Sequence, residues 1–190
     1  MNNAVGGWRQ LLERALERHA ELPQARYTQL ATIRPDGRPA NRTLNFRDWL
    51  PDDRLVFTTD ARSAKAGHLA ATPWGELCWY FVDTREQFRI LGRLSVVADN
   101  ADAELAAVRT RVWLALSDAS RQTFTWPPPG QPREADAAFR APAPHEPTPS
   151  FALLIVTPEQ VDYLDLRPRP FLRVIYRRAA LDWTGETLNP

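Results

Sequence analysis

The sequence predicts a mainly β fold: an antiparallel sheet closing into a barrel, with a few peripheral helices. Three observations carry this. Short runs rich in Val, Ile, Thr, Tyr, Phe and Trp recur along the chain and are separated by turn residues. Few helical patterns fall between them, too few for the crossovers that a parallel sheet requires. No segment repeats at a fixed period, which sets solenoids and propellers aside.

The elements follow in chain order. Residues 8–22, WRQLLERALERHAEL, put Trp8, Leu11, Leu12, Ala15, Leu16 and His19 at helical spacing, and Pro23 ends the helix. From residue 25 to 49 the pattern is strand, turn, strand, with RPDGRP (34–39) as the turn. In NRTLNFR (41–47), alternation places Arg42, Leu44 and Phe46 on one face and Thr43, Asn45 and Arg47 on the other. DRLVFTT (53–59) is a third strand, and RSAKAGHLAAT (62–72) is a short helix stopped before Pro73. GELCWYFV (75–82) is continuously apolar, so it is expected to be buried on both faces. EQFRILGRLSVVA (86–98) is another strand, with Gly92 at a bend or bulge. Residues 101–117 read as a helix. Residues 126–150 are rich in proline and carry no period, as expected of a functional or flexible loop. Residues 151–158, 160–166 and 171–178 are closing strands, and LDWTGETLNP adds one more.

At 190 residues the chain suits one domain, 1–190, with the 126–150 loop inside it. The forty or so residues beyond that loop are too few for a second core. Net charge is +1, from 24 basic and 23 acidic residues, without the basic excess expected of a nucleic-acid binder. Residues 1–25 lack the apolar run of a signal peptide, and no stretch is apolar for long enough to be a transmembrane helix, so a cytoplasmic protein is expected. Cys78 is the single cysteine, which rules out an intrachain disulfide and any multi-cysteine metal site.

Nothing in the chain carries a Walker A loop, G-x-G-x-x-G or G-x-S-x-G. His19, His68 and His145 are scattered, so no metal site is expected. Cys78 reads as an inert buried thiol, and CWYF (78–81) as core. What remains is polar. LVFTTDARSAK (55–65) runs from strand into helix and holds Thr58, Thr59, Ser63 and Lys65, the only lysine among the 24 basic residues. Hydroxyls, unpaired helix N–H groups and an ammonium converging there would cradle an anion. The same residues also fit an ordinary helix cap beside an exposed lysine. Arg42 and Arg47 are five residues apart on one strand. That odd spacing puts them on opposite faces unless the strand bends between them, and each alone fits a solvated arginine. Gln87 and Arg89 flank Phe88 and fit an outward polar pair. Gln87 also offers the donor and acceptor that a heteroaromatic edge requires.

Taken in order, RTLNFR, LVFTTDARSAK, CWYF, REQFRILG and the terminal LNP resemble the pyridoxamine 5'-phosphate oxidase family of FMN-binding split barrels. The likeness is to the branch in which R-S-x-K and Q-F-R-I-x-G are typical, and it spans nearly the whole chain. It implies an FMN-dependent oxidoreductase that works as a homodimer, with cofactor sites built by two chains. The family's R-x-x-x-x-K/R pattern falls on Arg42 and Arg47, its strand-end pair on Thr58 and Thr59, and its phosphate motif on Ser63 and Lys65. The flavin-contacting glutamine falls on Gln87, and a late arginine on Arg173. Arg47 is implied to stabilise negative charge on reduced flavin; no catalytic acid or base is indicated. Substrate access is expected to involve the proline-rich loop, with Trp126 as a lid residue. Three departures argue against pyridoxamine phosphate as the substrate. Ala64 stands where the oxidases proper often have arginine, RPRPFLR (167–173) replaces their R-L-H segment, and Leu164 aligns with an expected tryptophan. A pyridoxamine or pyridoxine 5'-phosphate oxidase, a non-catalytic flavin-binding module and an interaction protein with a decayed site stay as alternatives. F420 and haem are bound by other relatives of this barrel.

Overall fold

The computed structural model describes residues 7–99, 102–180 and 182–190. Eight strands run β1 (Tyr27–Ile33), β2 (Pro39–Leu50), β3 (Arg54–Asp60), β4 (Trp74–Phe81), β5 (Glu86–Val97), β6 (Phe151–Asp165), β7 (Leu172–Ala179) and β8 (Asp182–Leu188). The helices are α1 (Trp8–Arg18), α2 (Ala64–Ala71), α3 (Ala103–Leu114) and α4 (Asp118–Gln122). Every strand pairing is antiparallel. The order is β3-β2-β1-β4-β5-β6, and β3 pairs back onto β6. Six strands therefore close a barrel, and β7 and β8 extend from it. The fold class read from the sequence is the one observed.

The barrel interior takes the alternate residues of each strand, including Leu30, Leu44, Phe46, Phe57, Leu77, Trp79, Phe88 and Ile90. Trp79 meets Phe46 edge-on at 5.4 Å and donates from its indole N–H to the Ala25 carbonyl at 2.8 Å. Helix α1 covers this core with Trp8, Leu11, Leu12 and Ala15. It is pinned by Arg18, which bonds the buried Glu86 carboxylate at 2.7 Å; the Tyr163 hydroxyl donates to the same carboxylate at 2.8 Å. A second apolar cluster lies outside the barrel wall. There Val108, Val112 and Trp113 of α3 pack on Val56, Phe151, Leu153 and Ile155.

Three expectations change. β4 is not buried on both faces: Leu77, Trp79 and Phe81 point inward, while Tyr80 is 44% exposed. A barrel strand has one interior face, and among the described residues no helix covers Tyr80 on the other. Cys78, on that outer face, is half-buried rather than enclosed. Finally, residues 151–158 and 160–166 form one fifteen-residue strand, β6. Pro158 does not break it, because the β5–β6 register shifts there: Leu91 pairs with Gln160 and Gly92 with Pro158. The bulge needs no N–H from Pro158. It needs glycine opposite, since a Cβ on Gly92 would sit 2.3 Å from the Thr157 carbonyl oxygen.

No helix of the described residues is long and apolar enough to cross a membrane.

Candidate functional site

The hand-over from β3 to α2 builds the site. Ser63 occupies the N-cap position of α2, but its hydroxyl caps no helix N–H; it donates to the Asp60 carbonyl at 2.7 Å. The first amides of α2 thus keep their partial positive charge without a side-chain partner. Lys65 folds back over this turn. Its ammonium donates to Thr59 Oγ1 and to Ser63 Oγ, each at 2.9 Å. One of its three protons remains. Across the barrel mouth, Arg42 of β2 donates from Nη1 to the Leu30 carbonyl at 3.1 Å and to Thr32 Oγ1 at 2.7 Å. Neither bond uses Nη2 or Nε.

Arg42 and Lys65 line one cleft of about 600 Å³, with Thr43, Asn45, Thr58 and Thr59. Among the described residues no carboxylate pairs with either cation. Asp60, an acid of the same lining, forms a two-point pair with Arg62, at 3.0 and 2.6 Å. Burial, and next the Arg42 charge, pull the Lys65 pKa below that of a free lysine; Asp60 opposes this weakly. Burial, with the charge of Arg34, lowers the pKa of Arg42 as well. Two partly buried cations that repel one another are a site prepared for an anion, because a dianion would relieve both costs. The opposite wall comes from Thr123, Phe124, residues 126–134 and Phe139, and Glu134 is an acid on it. Trp126 meets Phe139 edge-on at 5.7 Å, and the Arg133 guanidinium lies 4.4 Å from the centre of the Phe139 ring. The proline-rich segment is therefore a wall of this cleft, and Trp126 lines it.

Arg47 stands apart. It lines a second cleft of about 250 Å³ with Arg26, Asp48 and Arg111. The strand parity that separates it from Arg42 holds, and the β2–β3 register shifts between Phe46 and Asp48, at Arg47 itself. Burial and the charge of Arg26 lower its pKa. Its buried Nε has no hydrogen-bond partner, and neither has Oδ1 of Asn45, two residues back on the same face. A donor and an acceptor two residues apart on β2 are thus unused, Asn45 lining the Arg42 cleft and Arg47 the second one. Asn45 was not singled out from sequence; the signal was its place on the Arg47 face.

Gln87 and Arg173 are elsewhere. Both face outward, Gln87 opposite Tyr80 and Leu164, and Arg173 opposite Leu164. β5 lies three places from β2 whichever way the six-stranded ring is counted. Arg173 holds the buried Asp162 carboxylate at 3.1 and 2.8 Å, and Arg89 shares that carboxylate. One chain therefore gathers Arg42, Thr58, Thr59, Ser63 and Lys65, sets Arg47 in a separate cleft, and leaves Gln87 on the far wall and Arg173 on β7 beyond it.

Residues 5–98 match the family described as pyridoxamine 5'-phosphate oxidase, FMN-binding domain. The chain is 39% identical over 200 residues to pyridoxine/pyridoxamine 5'-phosphate oxidase 2 of Arabidopsis thaliana, covering 100% of both. It is 34% identical over 172 residues to a pyridoxine/pyridoxamine 5'-phosphate oxidase of Sphingopyxis alaskensis, covering 85% of this chain and 76% of that one. A crystal structure of a pyridoxamine 5'-phosphate oxidase-related, FMN-binding protein from Nostoc punctiforme superposes with a TM-score of 0.90. It is 46% identical, and the match covers 98% of this chain and 100% of that chain.

Proposed function

The chain belongs to the pyridoxamine 5'-phosphate oxidase family, and we propose that it is an FMN-dependent oxidoreductase acting as a homodimer. One observation carries the cofactor assignment: among the described residues neither Arg42 nor Lys65 has an ion-pair partner in the cleft they line, where Asp60 is held by Arg62 and Glu134 stands on the opposite wall. A phosphate dianion fits that need, with the uncapped start of α2 beside it. The unused Nε of Arg47 and Oδ1 of Asn45 fit the donor and acceptor edge of a flavin ring. Five residues of strand separate Arg42 from Arg47, roughly 16 Å along β2, which suits the two ends of one extended nucleotide.

When bound, FMN supplies two-electron transfer at its ring. The chain's own residues hold and orient. Arg42, Lys65, Ser63 and Thr59 would fix the phosphate, and Thr58 and the 123–139 wall would flank the chain that follows. Arg47 and Asn45 would fix the ring edge. Gln87 and Arg173 cannot reach the cleft of their own chain, because they point away from the opposite wall of the barrel. They can serve a flavin only across an interface. The outer face that carries them also shows Tyr27 and Tyr80, each 44% exposed, and Val82, 72% exposed. That supports pairing of two copies through this face.

The full-length likeness to the Arabidopsis oxidase makes pyridoxamine 5'-phosphate the first substrate to test, against the departures at Ala64, Leu164 and residues 167–173. Purified protein should be yellow, release one FMN per chain on denaturation, sediment as a dimer, and reduce oxygen when given pyridoxamine 5'-phosphate. A colourless protein that takes up no added FMN would end the reading. Flavin without turnover would remove only the substrate.

A further inference from the structure

The Arg42 guanidinium is held by a hydroxyl that is itself held. Thr32 Oγ1 accepts from Arg42 Nη1 at 2.7 Å, so its single proton must go elsewhere. The side-chain partner in reach is Nδ1 of His68, at 3.1 Å. His68 must then accept at Nδ1 and carry its own proton on Nε2. Its surroundings favour that neutral ring. His68 is buried, and Arg42 of β2, Arg34 of the β1–β2 turn and Lys65 of α2 lower its pKa, with Asp36 opposing them. His68 and Lys65 lie three residues apart on α2, on one face of the helix. That helix therefore delivers one cation directly and orders the other through Thr32.

We propose that His68 is a positioning residue for the anion-binding guanidinium of Arg42, acting through Thr32. The claim rests on the cleft holding the FMN phosphate. A long side chain repelled by Lys65 has many rotamers to lose. The chain His68–Thr32–Arg42 fixes one of them before the ligand arrives, so the phosphate does not have to.

The test compares dissociation constants for FMN and for riboflavin, which lacks the phosphate. Wild-type protein should prefer FMN. H68L and T32V should each weaken FMN roughly tenfold, the scale of one hydrogen bond to a charged group, and leave riboflavin unchanged. The double variant should be no worse than either single one. H68N, whose amide oxygen can take the place of Nδ1, should restore FMN binding, whereas H68Q should resemble H68L. Should H68L not fold, the H68N and H68Q pair decides. Equal losses for FMN and riboflavin, or an FMN preference that survives H68L and H68Q, would overturn the positioning role. If wild-type protein binds both flavins equally, the phosphate assignment falls instead, and this inference with it.

Discussion

Lys65→Met separates binding from folding. Without FMN, the substitution removes a partly buried cation that faces Arg42 and has no carboxylate partner. The two hydroxyls it leaves both have the Asp60 carbonyl in reach, Ser63 at 2.7 Å and Thr59 at 3.5 Å. Stability without ligand should stay within about 1 kcal/mol of wild type or rise, because an uncompensated charge is lost. With FMN, a charge-assisted phosphate contact is lost, at about 1.5–3 kcal/mol, or roughly ten- to hundredfold in affinity. At a ligand concentration about 100 times the wild-type Kd, binding adds about 2.7 kcal/mol to wild type; a variant about fiftyfold weaker gains only about 0.7 kcal/mol. For a chain of this length that is about 5–11 °C of thermal shift against about 1–3 °C. Thermal melts with and without FMN, beside a fluorescence titration, measure both arms. A variant with the full wild-type shift would show that Lys65 does not touch the phosphate. Collapse without FMN would show that the lysine is a structural cation.

Three further outcomes follow from the same geometry. Because the Lys65 pKa lies below 10.5, its charge is lost at lower pH than that of a free lysine. FMN affinity should therefore fall as pH rises through that lowered value, and riboflavin affinity should not. Over the same window, up to 10.5, stability without ligand should gain from this group, since the unfolded chain binds the extra proton; K65M should abolish both slopes. Glu86→Gln removes the charge that accepts from Tyr163 and Arg18 and lies 3.5 Å from Arg167. It should cost roughly 2–3 kcal/mol in denaturant unfolding, below the usual range for breaking a buried pair because both arginines stay in reach of water. A loss under about 0.5 kcal/mol would mean that this buried cluster does not anchor α1. Tyr80→Glu puts a charge on the uncovered outer face of β4 and should yield a monomer by analytical ultracentrifugation, with FMN binding weakened. A dimer of unchanged strength would move the interface elsewhere.

Legibility in the sequence followed what each residue does alone. Lys65 stood out because it is the one lysine beside three hydroxyls, and it does bond Thr59 and Ser63. The opposite faces of Arg42 and Arg47 followed from parity, and the clefts they line are indeed separate. β4 misled because apolar character reports that a face avoids water, not what covers it, and Tyr80 faces away from the core. β6 was cut at Pro158 because the compensating bulge depends on Gly92, some sixty-six residues earlier in the chain. Thr32 and His68 gave no signal, and Asn45 only its place on the Arg47 face. They are uncharged, common residue types, and their significance comes from neighbours set beside them by strand pairing and by the seating of α2.

The case for a ligand rests on contrast within one molecule. Several arginines elsewhere are compensated by buried or nearby acids: Arg18 and Arg167 meet Glu86, Arg89 and Arg173 share Asp162, and Arg109 takes Asp99 at 2.8 Å. Those on β2 are not. Arg42 faces Lys65, Arg47 keeps a buried N–H that nothing accepts, and Asn45 keeps a buried oxygen that nothing serves. Such groups cost free energy in the isolated chain. Two buried unpaired atoms and a repelled cation on one strand, beside a helix whose first amides have no side-chain cap, are better explained by one partner than by separate defects. The same reasoning gives the order in which evidence would accumulate: anion, then ring, then second chain. A phosphate requires only Arg42 and α2, a flavin ring adds Arg47 and Asn45, and Gln87 and Arg173 come into play only when another barrel turns its outer wall toward the cleft.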